Sequence, residues 1–178
     1  FILSNQNKQA TNYLNRFSKL IRLILEHSKE SVISLTDELT ALKLYLEIES
    51  TRFDDTFSYT INIQNDVSVD QLLVPPLLLQ PFVENAIWHG LLPKKNGEKL
   101  LNISILVEVT HFVFVIEDNG IGRELSKQKK EKDSRSHRSL GMKITEERID
   151  LFNKNSKRNI DLTIIDLPNH SGTRVEIR

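Results

Sequence analysis

The chain has 178 residues, 39% hydrophobic and 27% charged, with 24 basic side chains against 24 acidic ones and a formal net charge of +0. At roughly 150 residues per domain this is one domain, or one domain with a helical appendage, and the apolar content suffices for a packed core. The charge balance lacks the basic excess of a nucleic-acid binder, no apolar run reaches the roughly 18 residues of a membrane span, and without cysteine there is no disulfide or thiolate chemistry.

From about Gln6 to Lys29 the apolar residues Tyr13, Leu14, Phe17, Leu20, Ile21, Ile24 and Leu25 recur at spacings of three and four, which predicts an amphipathic helix. Ser34 or Thr36 caps a second helix, with Asp37 and Glu38 in the first turn where the helix dipole favours acids. Leu35, Leu39, Leu42, Leu46 and Phe53 form its apolar stripe. The result is a two-helix hairpin over 1–55 whose apolar faces need a further partner, either the next domain or a second copy. The opening at Phe1, inside a helical pattern and without Met, predicts a piece of a longer protein.

Beyond Asp54 the pattern changes. Phe57, Tyr59, Ile61 and Ile63 alternate with polar residues as in a strand. Pro75 and Pro76 predict a helix start, with the helix running through Leu79, Phe82, Val83, Ala86 and Ile87 to His89 and stopping at Gly90. Leu101 to Val109 and Phe112 to Ile116 read as a hairpin, and the second strand runs directly into Asp118-Asn119-Gly120-Ile121-Gly122. Residues 123–138 are polar and carry seven basic against three acidic side chains, a local charge of +4. A helix follows from about Leu140 to Asn153, and two strands, Ile160 to Leu167 and Thr173 to Arg178, close the chain.

Three features carry chemistry. Asp118 ends a buried strand with a carboxylate, which accepts hydrogen bonds and suits an exocyclic amino group; Gly120 and Gly122 lack Cβ and let backbone approach a flat ring. Together they describe an adenine pocket, although Asp-Asn-Gly also makes an ordinary Asx turn. Asn85 places a hard amide oxygen on a helix, where it can ligate magnesium (Mg2+), and Glu84 beside it can orient a phosphate acceptor or a water; a solvent-facing polar pair is the plain alternative. His89, one turn beyond, is either a phosphate contact or a partner for the helix dipole. The cationic loop can close over a triphosphate, and Gly141 at the next helix start offers backbone N–H groups to an anion; a solvated linker is the other reading of that loop.

The run from Pro76 to Gly90, PLLLQPFVENAIWHG, resembles the asparagine box of sensor histidine kinases of the LytS/YehU type. Asp118-Asn119-Gly120-Ile121-Gly122 is similar to their first glycine box, Ser139-Leu140-Gly141-Met142 to their second, and Gly172-Thr173 to their terminal strand start. Leu39, Leu42, Tyr45, Leu46, Ile48, Glu49, Arg52 and Phe53 resemble the helix that precedes the ATPase domain in that family. The resemblance implies an α+β Bergerat (GHKL) fold over 56–178, a mixed sheet with helices packed on one face, preceded by the dimerisation hairpin. It implies ATP and Mg2+ as cofactors, with Asn85 ligating the metal, Asp118 receiving the adenine amino group, Gly120 and Gly122 shaping the pocket, Gly141 near the phosphates and Thr173 on the adenine side. The γ-phosphate would pass to a histidine and then to an aspartate of a response regulator of the LytT kind.

The family's acceptor lies in a Pro-His-Phe-like segment, and none of His27, His89, His111, His137 or His170 has that context, which places the acceptor upstream of Phe1. Ser139 stands where the second glycine box usually has another glycine. A homodimer through the hairpin, no nucleic acid, and a bacterial inner membrane reached only through preceding segments, with this region in the cytoplasm, complete the expectation. A GHKL-type ATPase, or a nucleotide-binding module without phosphotransfer, is the alternative.

Overall fold

The computed structural model describes residues 2–64, 71–108, 111–126, 140–155, 159–168 and 171–178. Phe1–Thr56 and Ser68–Leu79 form one compact unit; Phe57–Val67 and Gln80–Arg178 form the other.

The first unit is a helical hairpin with a short sheet. Helix α1 (Ile2–His27) packs on helix α2 (Leu35–Arg52). Of the apolar stripe on α1, Leu20 is buried, while Leu14, Phe17, Ile21 and Leu25 stay exposed. Ser34, not Thr36, is the cap of α2: its Oγ accepts from the Asp37 N–H at 3.1 Å and donates to the Asp37 carboxylate at 2.7 Å, which satisfies one of the orphan amides of the first turn. Leu35, Leu39, Leu42, Leu46 and Ile48 are all buried, so α2 is the core helix of this unit. Strand β1 (Ile33–Ser34) pairs antiparallel with β3 (Leu73–Val74).

Glu38 is also buried, at 2% exposure, and its two carboxyl oxygens accept from the Leu77 and Leu79 N–H groups, each at 2.9 Å. Leu77 is held at φ 57°, in the left-handed region that L side chains avoid. The proline pair therefore belongs to an irregular strap pinned by Glu38. The predicted helix start at Pro75 and Pro76 is corrected accordingly, since α3 (Gln80–Asn85) begins only after the strap.

The second unit contains a five-stranded sheet in the order β2-β4-β5-β7-β6, from β2 (Ser58–Ile63), β4 (Leu100–Val107), β5 (Phe112–Asp118), β6 (Leu162–Asp166) and β7 (Thr173–Ile177). β2 runs parallel to β4 and every other pair is antiparallel, so the sheet is mixed as expected. Leu101, Ile103, Ile105, Ile116 and Ile177 are almost wholly buried on one face. Against that face lies the α3 helix and its continuation, a π-helical turn (Ala86–Leu91) that buries Ile87 and Leu91. Each such side chain contributes about 1.5–3 kcal/mol when fully buried. Thr60, Asn102, Glu117 and Arg174 occupy one row of the opposite face, where Thr60 donates to Asn102 at 2.9 Å and Arg174 bridges Glu117 and Glu176.

Helix α4 (122–126) follows β5, and α5 (Leu140–Asn155) packs on α3. Asn153 exchanges two hydrogen bonds with the backbone of Ile160, tying the end of α5 to the approach of β6. Most of the predicted cationic loop, with Ser139, lies outside the described residues. No helix among the described residues is long and apolar enough to cross a membrane.

Candidate functional site

Asp118 is the last residue of the central strand β5, in register with Leu101 of β4 and Thr173 of β7. Its side chain falls on the same face as Ile116, the face that the α3 helix covers, and it is 3% exposed. The Gly120 N–H donates to Oδ1 at 2.8 Å, and the Thr173 backbone also donates to the carboxyl. Burial nonetheless dominates and pushes the Asp118 carboxyl up to about 6. The two backbone donors and the Lys94 ammonium pull the other way, while the Glu117 charge adds to the rise.

Three glycines pack against Asp118 or against one another, and only Gly90 faces the carboxyl itself. A Cβ on Gly90 would stand 2.5 Å from Asp118 Oδ1. A Cβ on Gly120 would overlap the Gly90 backbone, and one on Gly172, at φ 134°, would overlap the Asp118 carbonyl. Gly122 has the positive φ, 73°, expected of the motif, whereas Gly120 is needed for close approach. The Gly90 carbonyl accepts from the Ile121 N–H at 3.1 Å, which locks the π turn onto the glycine loop. The prediction that Gly90 ends its helix is thus corrected: the winding continues to Leu91, with the Leu92 N–H on the Ile87 carbonyl at 2.9 Å. The apolar pair Leu91-Leu92 directly after Gly90 was the available signal.

Two side chains that the sequence left unassigned hold the loop. Asn119 accepts from the Leu100 N–H at 2.8 Å and donates to the Glu98 carbonyl at 3.0 Å. Lys94 donates to the carbonyls of Glu98 and Asn119, at 2.7 and 2.8 Å. Arg123, the first cation of the predicted phosphate loop, is taken by Asp166 in a bidentate pair at 2.7 and 2.8 Å.

Glu84, Asn85 and His89 all belong to the helical run, ending at Leu91, whose Gly90 packs against Asp118. Glu84 is exposed, and Asn85 and His89 are half-buried. The Asn85 amide nitrogen donates to the Pro81 carbonyl at 2.7 Å, and since only that end of the amide can donate, Oδ1 remains as the acceptor. Among the described residues no three His, Asp or Glu side chains form a metal cluster. A single amide oxygen with no carboxylate cage fits magnesium, which keeps waters and takes its remaining ligands from phosphates. Gly141 is the second residue of α5. The structure therefore brings Asp118, Gly120 and Thr173 into direct contact, joins them to the Asn85 helix through Gly90, and sets Gly141 on a neighbouring helix.

A family model described as histidine kinase matches residues 1–57. The sensor histidine kinase/phosphatase LytS of Staphylococcus aureus is 35% identical over 124 residues, 69% of this chain and 20% of that protein. This chain is a relative of the LytS-type sensor histidine kinases. It spans about one fifth of the length of that curated relative. Among solved structures, the mycobacterial sensor histidine kinase MprB superposes with a TM-score of 0.53 at 15% identity, covering 82% of this chain and 93% of that one. The catalytic domain of the histidine kinase ThkA gives 0.52 at 11% identity, covering 82% and 92%. These likenesses establish the fold: α+β, in the manner of histidine kinase catalytic (GHKL) domains, with the mixed sheet expected of it.

Proposed function

We propose that the second unit binds ATP and donates its γ-phosphate to a histidine, from which it passes to an aspartate of a response regulator. The observation that carries this reading is the buried Asp118 carboxyl, pushed up to about 6, with the bare Cα of Gly90 against it and the Gly120 N–H on Oδ1. At neutral pH it is a desolvated anion, and the N–H groups of a 6-aminopurine are the donors it needs. Gly120 and Gly122 are assigned to shaping the ring's pocket, and the Thr173 backbone supports the carboxyl from β7.

Asn85 Oδ1 is the group that would hold Mg2+, whose charge, when bound, offsets that of the phosphates. His89, and the helix start at Gly141, are assigned to the phosphate side. Glu84, exposed beside Asn85, is assigned to orienting the acceptor histidine. Transfer forms a bond between an imidazole nitrogen and the γ-phosphorus while the bond to the bridging oxygen of ADP breaks. The work of the protein is positioning, so no strong nucleophile is needed in this unit. The kinship with LytS supports the kinase reading over a free-standing ATPase.

The acceptor histidine belongs to another segment, since the five in this chain lack the family's acceptor context. The first unit is assigned to homodimerisation, supported by the exposed row Leu14, Phe17, Ile21 and Leu25 on α1. The proposal extends to a response regulator of the LytT kind as partner and to a full-length protein attached to the membrane.

The test is adenosine binding, because adenosine carries no phosphate that titrates between pH 5 and 7. Asp118→Asn should weaken it by about 1–3 kcal/mol, one hydrogen bond to a charged group. In the wild-type chain the raised carboxyl binds its proton below about pH 6, so adenosine affinity falls as pH drops through 6, by up to about tenfold per unit. The same group makes the free protein less stable as pH rises through 6, because the proton favours the folded state. Calorimetry that finds unchanged affinity in Asp118→Asn, or a flat pH profile in the wild type, overturns the adenine assignment.

A further inference from the structure

Gly90 stands within a helical winding, where glycine is a poor choice of residue, and its φ is not in the left-handed region that would explain it. Space explains it instead. The three atoms nearest a Cβ at this position are Oδ1, Cγ and Oδ2 of Asp118, at 2.5, 3.0 and 3.4 Å. Oδ1 is the atom that accepts from the Gly120 N–H, and Gly120 itself lies against the Gly90 backbone. The carboxyl thus has the Gly120 amide on one side and the bare Cα of Gly90 on another. It cannot yield to a methyl group at position 90 without giving up its hydrogen bond to the loop.

We propose that Gly90 is a specificity-determining positioning residue. The missing side chain sets where the Asp118 carboxyl stands, and so selects purines that carry an amino group at the six position over those with an oxygen there. The inference rests on the nucleotide reading above, because the selected atom is the donor that Asp118 would accept. It assigns the selectivity to a residue of the helix and not to the glycine loop alone. A 6-oxopurine presents a carbonyl to a carboxylate, two acceptors facing each other, and a displaced carboxylate no longer enforces that penalty.

The experiment compares ADP and IDP binding by calorimetry in the wild type, Gly90→Ala, Asp118→Ala and the double variant. The wild type should prefer ADP by about tenfold or more, the equivalent of one hydrogen bond. Gly90→Ala should lose most of that preference, mainly through weaker ADP binding, and should move the titration midpoint of Asp118 followed by NMR. In the Asp118→Ala background the three atoms nearest the new methyl are gone, so Gly90→Ala should change binding no further and should no longer destabilise, the better helix propensity of alanine acting in its favour. A Gly90→Ala chain that fails to fold, but folds once Asp118 is also alanine, supports the same contact. Undiminished ADP preference in Gly90→Ala overturns the inference while leaving the nucleotide reading intact, as does equal destabilisation in both backgrounds. A wild type that binds ADP and IDP equally overturns the inference and the adenine role of Asp118, and one that binds neither overturns the nucleotide reading itself.

Discussion

Replacing Glu38 with alanine is expected to destabilise the first unit by about 3 kcal/mol, because one buried and one half-buried backbone donor lose their acceptor and each unsatisfied group costs about 1–3 kcal/mol. Glu38 is 2% exposed, and both of its oxygens are engaged, by the Leu77 and Leu79 N–H groups. Leu77 at φ 57° adds to the loss, since an L residue in that conformation depends on its surroundings to stay there. Glu38→Gln should be intermediate: it keeps one acceptor but sets an amide N–H against a backbone N–H. Urea unfolding measures the total, and hydrogen exchange at the Leu77 and Leu79 amides localises it. A loss below about 1 kcal/mol with those amides still protected would show that the strap holds itself.

Glu38 also shows where a local reading of the sequence stops. In the first turn of α2 it fits the rule that acids favour a helix N-terminus, and nothing nearby contradicts that. Its partners lie 39 and 41 residues away, so its burial is invisible to any window of helical length. The same distance explains the misplaced start of α3. Pro75 and Pro76 obey the local rule for a first turn, but the strap is fixed by a carboxyl on another helix. The cap of α2 was narrowed to Ser34 or Thr36, and most of its stripe was legible, because their causes lie within four residues. The two-residue strands β1 and β3 carry no periodicity to detect. Alternation marked the longer strands, yet not that β2 lies parallel to β4.

The site divides the same way. Asp118, Gly120 and Gly122 form one short motif, and the expectation of an adenine pocket there was drawn from residue type alone. Gly90 and Gly172 converge on that motif from 28 residues before Asp118 and 54 after it, and only the folded chain shows that a side chain at 90 would meet the Asp118 carboxyl and one at 172 its main-chain carbonyl. Arg123 makes the converse point. In the sequence it is one more cation of a basic loop, but its pair with Asp166, 43 residues away, commits it to β6. A bidentate pair this exposed contributes modestly to stability, yet it fixes the direction in which the chain leaves the glycine loop.

Asn85→Ala is expected to remove the magnesium dependence of ATP binding while leaving metal-free binding close to that of the wild type. Asn85 is half-buried with its amide nitrogen on the Pro81 carbonyl, so the substitution deletes Oδ1 without creating a buried charge or a large cavity. The gain in helix propensity from asparagine to alanine, about 0.5 kcal/mol, opposes the loss of that one bond, and stability should change little. The assay is calorimetric titration of ATP in excess magnesium and again in chelator. Wild-type affinity should rise with metal by more than about tenfold, and the variant should gain less than a third of that free energy if the amide oxygen is the protein's main ligand. Asn85→Asp separates ligation from shape: it retains an oxygen for the cation but turns an acceptor towards the Pro81 carbonyl, so it should bind ATP poorly in chelator and recover with magnesium. Equal losses in Asn85→Ala with and without metal would place Asn85 on the nucleotide or in the scaffold. Asp118 would then still account for the purine, and the metal would have to find its protein oxygen on another side chain.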